Sequence, residues 1–176
     1  MNTSIDHSYD QSAGTRWRLD PTSSHAEFRV PHFWGLVSVK GHFDRLDGWL
    51  EVAENRQRRI ELTIDAASLD TGNRKRDQHL RSADFFDAED HPKVRFESTS
   101  VTDAADGQLK IEGELQAAGK RVPVALQAAI QQTADYLGLE AATTVDQRQL
   151  GLTWSPVGIT RTPATLTVHA RLRRES

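Results

Sequence analysis

The sequence predicts an all-β domain with one short helix, and three observations support this. Apolar residues alternate with polar ones in several runs, turn-forming residues separate the runs, and one interval breaks the alternation. A period of two places the apolar side chains of a strand on one face, which is typical of antiparallel sheets with one buried side. About eight such strands with few helices indicate a sandwich or a closed barrel.

Five alternating runs define the strands most clearly: "AEFRV", "IELTID", "VPVALQAAI", "LGLEAATTV" and "LTVHARL". Turn signals between them include Asp47-Gly48, Asp106-Gly107 and Ala118-Gly119, which are residue pairs that favour tight turns. The interior is predicted to be lined by Phe28, Val30, Ile60, Leu62, Ile64, Val124, Leu126, Leu137, Leu139, Leu166 and Val168.

Two features favour a closed barrel with space inside it. The apolar faces are single-sided, so there is one interior, and some inward candidates are small, as in Ala125 or Ala128 beside Ala141 and Ala142. A barrel of about eight strands is just wide enough to hold one small ligand. Small residues also occur at crowded corners, so a filled barrel is the alternative.

The interval that breaks the alternation predicts a helix over residues 73–86. Helix-forming residues dominate there, and Asp70 or Asn73 is placed to cap the N-terminus. On an amphipathic helix in this register, Leu80 and Ala83 are expected to face the sheet, and the flanking charges are expected to face water.

Composition limits the functional classes. The chain has 176 residues, with 22 Lys and Arg against 25 Asp and Glu, so its net charge is −3. That length predicts one domain, and this charge balance argues against a nucleic-acid partner. The absence of cysteine excludes disulfides, thiolate metal sites and thiol nucleophiles.

The N-terminal stretch is polar and contains no apolar run of the kind found in a secretory leader or a membrane span. We therefore expect a cytoplasmic protein without integral membrane contact. Residues 1–15 are predicted to form a disordered lead-in, and residues 16–176 are predicted to form the barrel domain. Pairing of two copies through an exposed edge or a barrel mouth is left open.

Motifs for covalent chemistry are missing. The sequence contains neither a Gly-x-Ser-x-Gly elbow nor a glycine-rich phosphate loop, so we expect no catalytic residue and no cofactor. Seven histidines are present, but His25 and His32 fall on opposite faces of a strand, and no His-Glu-x-x-His motif occurs. We expect no metal ion, although ligands assembled from separate strands are left open.

The aromatic residues point to a pocket mouth. Phe33 and Trp34 follow His32, Trp154 precedes a Ser-Pro pair, and Phe85 begins an aromatic pair after the predicted helix. Two adjacent aromatic side chains cannot both face the core from a regular strand. At least one of each pair is expected to line a pocket or to close a barrel end.

Three stretches together resemble the YceI-like family of lipocalin-like, polyisoprenoid-binding proteins. They are "WRLDPTSSHAEFRVPHFWGLVSVKGHF", "IDAASLDTGNRKRDQHLRSADFFDAEDHPKVRFES" and "DQRQLGLTW". The middle stretch is the longest and most specific, and the resemblance runs from about Arg16 to the end of the chain. One hairpin departs from the family pattern, because "LQAAGKRVPV" lacks the Thr-Lys character usual in relatives.

The resemblance implies an extended eight-stranded antiparallel lipocalin-like β-barrel with the short helix packed beside it. It also implies a carrier that holds a long isoprenoid or similar amphiphile, of the quinone or polyprenyl type, in the apolar interior. The head group is then expected at a mouth formed by His32, Phe33, Trp34, Arg76, His79, Phe85 and Trp154.

Two alternatives to a carrier are left open. One is an enzyme that acts on a small apolar or lipid substrate through a His–Asp or His–Arg pair. Asp77 and His79 are candidates, but two residues apart on a helix they do not face each other. The other is a filled barrel that serves a structural or partner-binding role.

Overall fold

The computed structural model describes residues 14–32, 37–152 and 163–175, without the side chains of His32 and Val37. These residues form strands and one α-helix, α1 (Arg74–Arg81). The strands are β1 (Thr15–Leu19), β2 (His25–His32), β3 (Val37–Phe43), β4 (Leu46–Val52), β5 (Arg58–Asp65), β6 (Leu69–Asp70), β7 (Lys93–Asp103), β8 (Gln108–Ala117), β9 (Lys120–Gln132), β10 (Leu137–Val145) and β11 (Ala164–Arg174).

The strands form one antiparallel sheet that closes on itself. Its order is β1-β4-β5-β7-β8-β9-β10-β11, and β11 pairs back onto β1. β11 also pairs with β2, which continues through β3 to β6. The predicted closed eight-stranded barrel is therefore confirmed.

The described part of the chain crosses the barrel eight times. It forms eleven strands because three of these crossings are interrupted. β1 and β2 pair with successive parts of β11 and are separated by a turn at residues 20–24. Only residues 44–45 separate β3 from β4, and a 3-10 turn at Ala66–Ser68 separates β5 from β6. Each pass pairs with the next pass along the chain, which gives an up-and-down barrel.

The alternation of burial follows the alternation of residue type. In β8 every second residue, from Leu109 to Ala117, is buried, and the residues between them are exposed or half-buried. Of the small residues predicted to face inward, Ala128 and Ala141 are buried, whereas Ala125 and Ala142 are exposed. The prediction for these last two was wrong because each lies an odd number of positions from an inward neighbour on its strand.

The helix is shorter than predicted. Asn73 caps it by accepting a hydrogen bond from the Arg76 N–H at 3.1 Å, but α1 ends at Arg81 instead of residue 86. The next residue, Ser82, has extended backbone angles, and its hydroxyl donates to the His79 carbonyl at 2.7 Å. The helical register is lost there, so Leu80 is buried against the barrel and Ala83, predicted to join it, is exposed.

The residues after α1 fold back toward it. The Phe86 N–H donates to the Leu80 carbonyl at 3.0 Å, and the Phe86 ring packs edge-on against Phe85 and Phe43. This places the aromatic pair against the barrel core and not on a continuing helix. Within the described ranges, no helix has the length and apolar character needed to cross a membrane.

A capped turn fixes the join between β5 and β6. The Asp65 carboxylate accepts hydrogen bonds from the Ala67 N–H and from Arg45 Nε, both at 3.0 Å. Burial alone would raise the pKa of Asp65, but these donors and the nearby Lys93 charge hold it below its usual value. Because the pKa is lower in the folded state, ionised Asp65 stabilises the fold above pH about 4. This contribution is lost as the pH falls through the folded-state pKa.

We expect Asp65→Asn to lower the free energy of unfolding at pH 7 by about 1 kcal/mol, since a hydrogen bond to a charged acceptor is stronger than one to a neutral acceptor. The difference between wild type and variant should shrink between pH 5 and pH 3. Urea unfolding of both proteins across this range measures it. A difference that stays constant down to the lowest pH would show that the Asp65 charge does not contribute.

Candidate functional site

The barrel encloses a cavity of about 550 Å³. Its wall consists mainly of apolar side chains that point inward from β2, β5, β9, β10 and β11, together with aromatic rings from β2, β3 and the segment after α1. Ligand pockets in proteins usually measure about 300–1,000 Å³ and are mostly apolar. The cavity therefore has the size and lining of a small-molecule site.

Incomplete burial of inward-facing apolar residues shows that the interior is not filled. Val124, Leu126, Leu139, Leu166 and Val168 all face inward, line the cavity and are only partly buried. In a tightly packed core such side chains would be covered by their neighbours. Here their remaining accessible surface faces the cavity.

Ten of the eleven residues predicted to line the interior border the cavity. These are Phe28, Val30, Ile60, Leu62, Ile64, Val124, Leu126, Leu139, Leu166 and Val168. The other one, Leu137, packs with Trp17, Leu50 and Leu172 in a second buried cluster. This cluster lies in the β1–β4 half of the barrel, where β10 begins and β11 ends, and Leu50 and Leu172 also border the cavity.

A glycine makes room for one of the lining aromatic residues. Gly41 of β3 lies directly opposite Phe28 of β2, and a Cβ atom at position 41 would lie only 2.4 Å from Phe28 Cζ. The Phe28 ring therefore lies across the backbone of β3. There it borders the cavity and contacts the Phe43 ring at a centroid distance of 5.7 Å.

Polar residues gather at one part of the cavity wall. Asn73, Lys75, Arg76 and His79 line the cavity from α1 and its N-cap. The other polar lining residues are dispersed over the strands and the segment after β10: Glu27, Glu61, Thr143, Gln147 and Thr167. The wall at α1 is thus where a polar or charged group of a ligand would meet polar side chains.

A hydrogen-bond network around Thr71 fixes α1 at this position. Arg76 Nε donates to Thr71 Oγ1 and Arg76 Nη2 donates to the Thr71 carbonyl, both at 2.8 Å. The Asp77 carboxylate is buried and accepts from the Thr71 N–H at 2.9 Å and from Thr71 Oγ1 at 2.5 Å. Asp77 therefore positions the helix. Both bonds end on the same carboxylate oxygen, Oδ1.

The residues predicted to form the mouth are only partly described. Arg76, His79 and Phe85 border the cavity. The side chain of His32 and the whole of Phe33, Trp34 and Trp154 lie outside the described residues. A ligand-binding role for the seven residues stays a prediction.

Sequence reasoning missed several lining residues. Ile111, Leu115 and Ala117 of β8 border the cavity, and the alternation in "QLKIEGELQA" was the signal that could have identified them. Lys75 also lines the cavity, but it lies next to Arg76 in a run of charges. Nothing in that run distinguishes a residue that faces the cavity from one that faces solvent.

We expect Asp77→Ala to destabilise the protein by about 2 kcal/mol, because it leaves the partly buried Thr71 N–H and hydroxyl without their acceptor. Asp84→Ala is the matched control, since Asp84 is exposed just beyond α1 and its loss should cost less than about 0.5 kcal/mol. Urea unfolding of both variants measures the difference. Equal stability of the two variants would contradict a positioning role for Asp77.

Comparison with known sequences identifies the family. The YceI-like domain model matches residues 17–172. A UPF0312 protein of Vibrio cholerae is 35% identical over 114 residues, which cover 62% of this chain and 60% of that protein. The chain thus spans about 60% of the length of such curated relatives.

Solved structures show the same barrel. BcnA of Burkholderia cenocepacia superposes with a TM-score of 0.78 at 18% identity, over 87% of this chain and 98% of that one. A polyisoprenoid binding domain from Saccharophagus degradans superposes with a TM-score of 0.73 at 15% identity, over 90% of this chain and 98% of that one. At such identities the similarity shows the fold alone.

Proposed function

This chain belongs to the YceI-like family, and we propose that it is a carrier or sequestering protein that holds the apolar chain of an isoprenoid amphiphile inside its barrel. The observation that carries this proposal is the cavity of about 550 Å³, lined by inward-facing apolar side chains that are only partly buried. The similarity to a structure described as a polyisoprenoid binding domain supports the isoprenoid class.

The cavity volume limits the length of chain that the barrel holds. A cavity of about 150 Å³ accommodates benzene, so a cavity of about 550 Å³ has room for roughly 20 carbon atoms. Four isoprene units contain this number of carbon atoms. A longer polyprenyl tail would have its remaining units outside the cavity.

Burial of such a chain is the main source of binding free energy in this proposal. Each methylene removed from water contributes about 0.8 kcal/mol, which gives a gross gain of roughly 16 kcal/mol for 20 carbons. The entropic cost of association is about 4–15 kcal/mol. The difference is roughly 1–12 kcal/mol in favour of binding, a range that includes the 8.2 kcal/mol of micromolar affinity.

The polar residues of α1 define the orientation of the ligand. Lys75, Arg76 and His79 border the cavity from α1, which contacts β6 beside β3. The buried cluster of Trp17, Leu50, Leu137 and Leu172 lies where β1 pairs with β4 and β11. A head group placed at α1 keeps its hydrogen bonds, whereas one placed at the apolar cluster would lose them. The chain therefore enters tail first, and the head group stays beside α1.

A substitution that fills the cavity with a large side chain should abolish ligand binding. We expect wild-type protein to gain roughly 5–10 °C in Tm with a prenylquinone of four isoprene units at 100 times Kd, because such an excess stabilises the fold by about 2.7 kcal/mol. Val124→Trp should lose this gain, since Val124 faces the cavity. Ala125→Trp is the matched control, because the next residue of β9 is exposed on the outer face.

The same quinone head group without its tail tests the importance of the chain and should leave Tm unchanged. Differential scanning fluorimetry of the three proteins with both compounds gives the result. An equal gain in the two tryptophan variants would contradict binding inside the barrel. A gain with the tailless quinone would contradict the role of the apolar chain.

A further inference from the structure

The outer face of the barrel wall carries a group of metal-ligating side chains. His25 of β2 and His169 of β11 lie directly opposite each other in the β2–β11 register. Glu27 lies two residues beyond His25 on the same strand face, and Glu140 of β10 lies opposite His169. Three adjacent antiparallel strands therefore bring two imidazoles and two carboxylates to one surface.

The distances within this group are close to those of a coordination site. One potential ligand atom from each of His25, Glu27 and His169 lies within 4.8 Å of the other two. His25 Nε2 is 3.3 Å from Glu27 Oε1. Ligands about 2.0–2.2 Å from a tetrahedral zinc ion lie roughly 3.4 Å apart. The distance between His25 Nε2 and Glu27 Oε1 therefore already matches that between two zinc ligands.

The imidazole rings are held side by side. Their centroids are 4.8 Å apart and the rings are inclined by 24°. The side chains of His169, His25 and Glu27 are 35%, 45% and 55% exposed, so solvent and ions reach all three.

We propose that His25, Glu27 and His169 form a binding site for a divalent transition metal ion of the zinc class, on the outer face of the barrel. Two imidazoles and a carboxylate are ligands typical of zinc, and a water molecule would occupy the open fourth position. This proposal does not rest on the proposed lipid-carrier function, because the two histidines, His25 and His169, are not among the residues that line the cavity.

Glu140 gives the site a second carboxylate. Its Oε2 atom lies 3.6 Å from His169 Nδ1. When His169 binds a metal ion through Nε2, its Nδ1–H is directed toward this carboxylate, an arrangement that orients metal-binding histidines in many proteins. The pair therefore favours coordination by His169 through Nε2.

Zinc titration of tag-free, chelator-treated protein tests the proposal. Isothermal titration calorimetry should detect one Zn²⁺ per chain in the wild type, and the His25→Gln and His169→Gln variants should each bind it at least tenfold more weakly. His91→Gln is the matched control: His91 is exposed, and its Nε2 lies 3.9 Å from Asp87 Oδ2, a histidine–carboxylate pair away from the site. The control should bind zinc like the wild type.

Co²⁺ provides a second readout that a structural role would not change. Wild-type protein and His91→Gln should show the visible absorption of Co²⁺ bound by nitrogen and oxygen ligands, and the two site variants should lose it while their unfolding curves stay unchanged. Zinc affinity that is the same in His25→Gln, His169→Gln and wild type would overturn the proposal. An affinity lost equally in His91→Gln would also overturn it.

Discussion

Closure of the sheet through β11 is the constraint on which the rest of the structure depends. β11 pairs with β10 along one edge, and with β1 and β2 along the other. Once the sheet is closed, each strand has one face toward a single interior and one toward solvent. A slip of one residue in any pairing would exchange the two faces of that strand, so the register decides which side chains meet inside the barrel and which meet outside it.

Both candidate sites follow from this register. The β2–β11 pairing that places Ala26 opposite Val168 on the cavity side places His25 opposite His169 on the outer side. Inside, side chains of moderate size leave the interior partly empty, and the Thr71 network holds the polar residues of α1 at its edge. Outside, the same strand spacing brings the histidines and their neighbouring carboxylates into contact. An apolar chain and a metal ion would thus bind on opposite faces of one wall.

The parts of this structure that depend on local pattern could be predicted from the sequence. Alternation identified ten lining residues because burial on a strand repeats every second residue. The end of α1 was not predicted, since it depends on the Ser82 hydroxyl and on the packing of Phe86 against Phe43. The meeting of His25 and His169 could not be predicted either, because it depends on closure between strands that are distant in sequence. No spacing motif records such a pairing.

The central claim is that the barrel holds an apolar chain, and mass spectrometry of the protein purified under native conditions tests it most directly. The protein should be extracted with organic solvent without added lipid, and the recovered molecules should be quantified against protein. We expect close to one amphiphile per chain, with an isoprenoid tail of at least roughly 20 carbons to fill the cavity of about 550 Å³. A folded protein whose extract contains no apolar chain in comparable amount would contradict the claim.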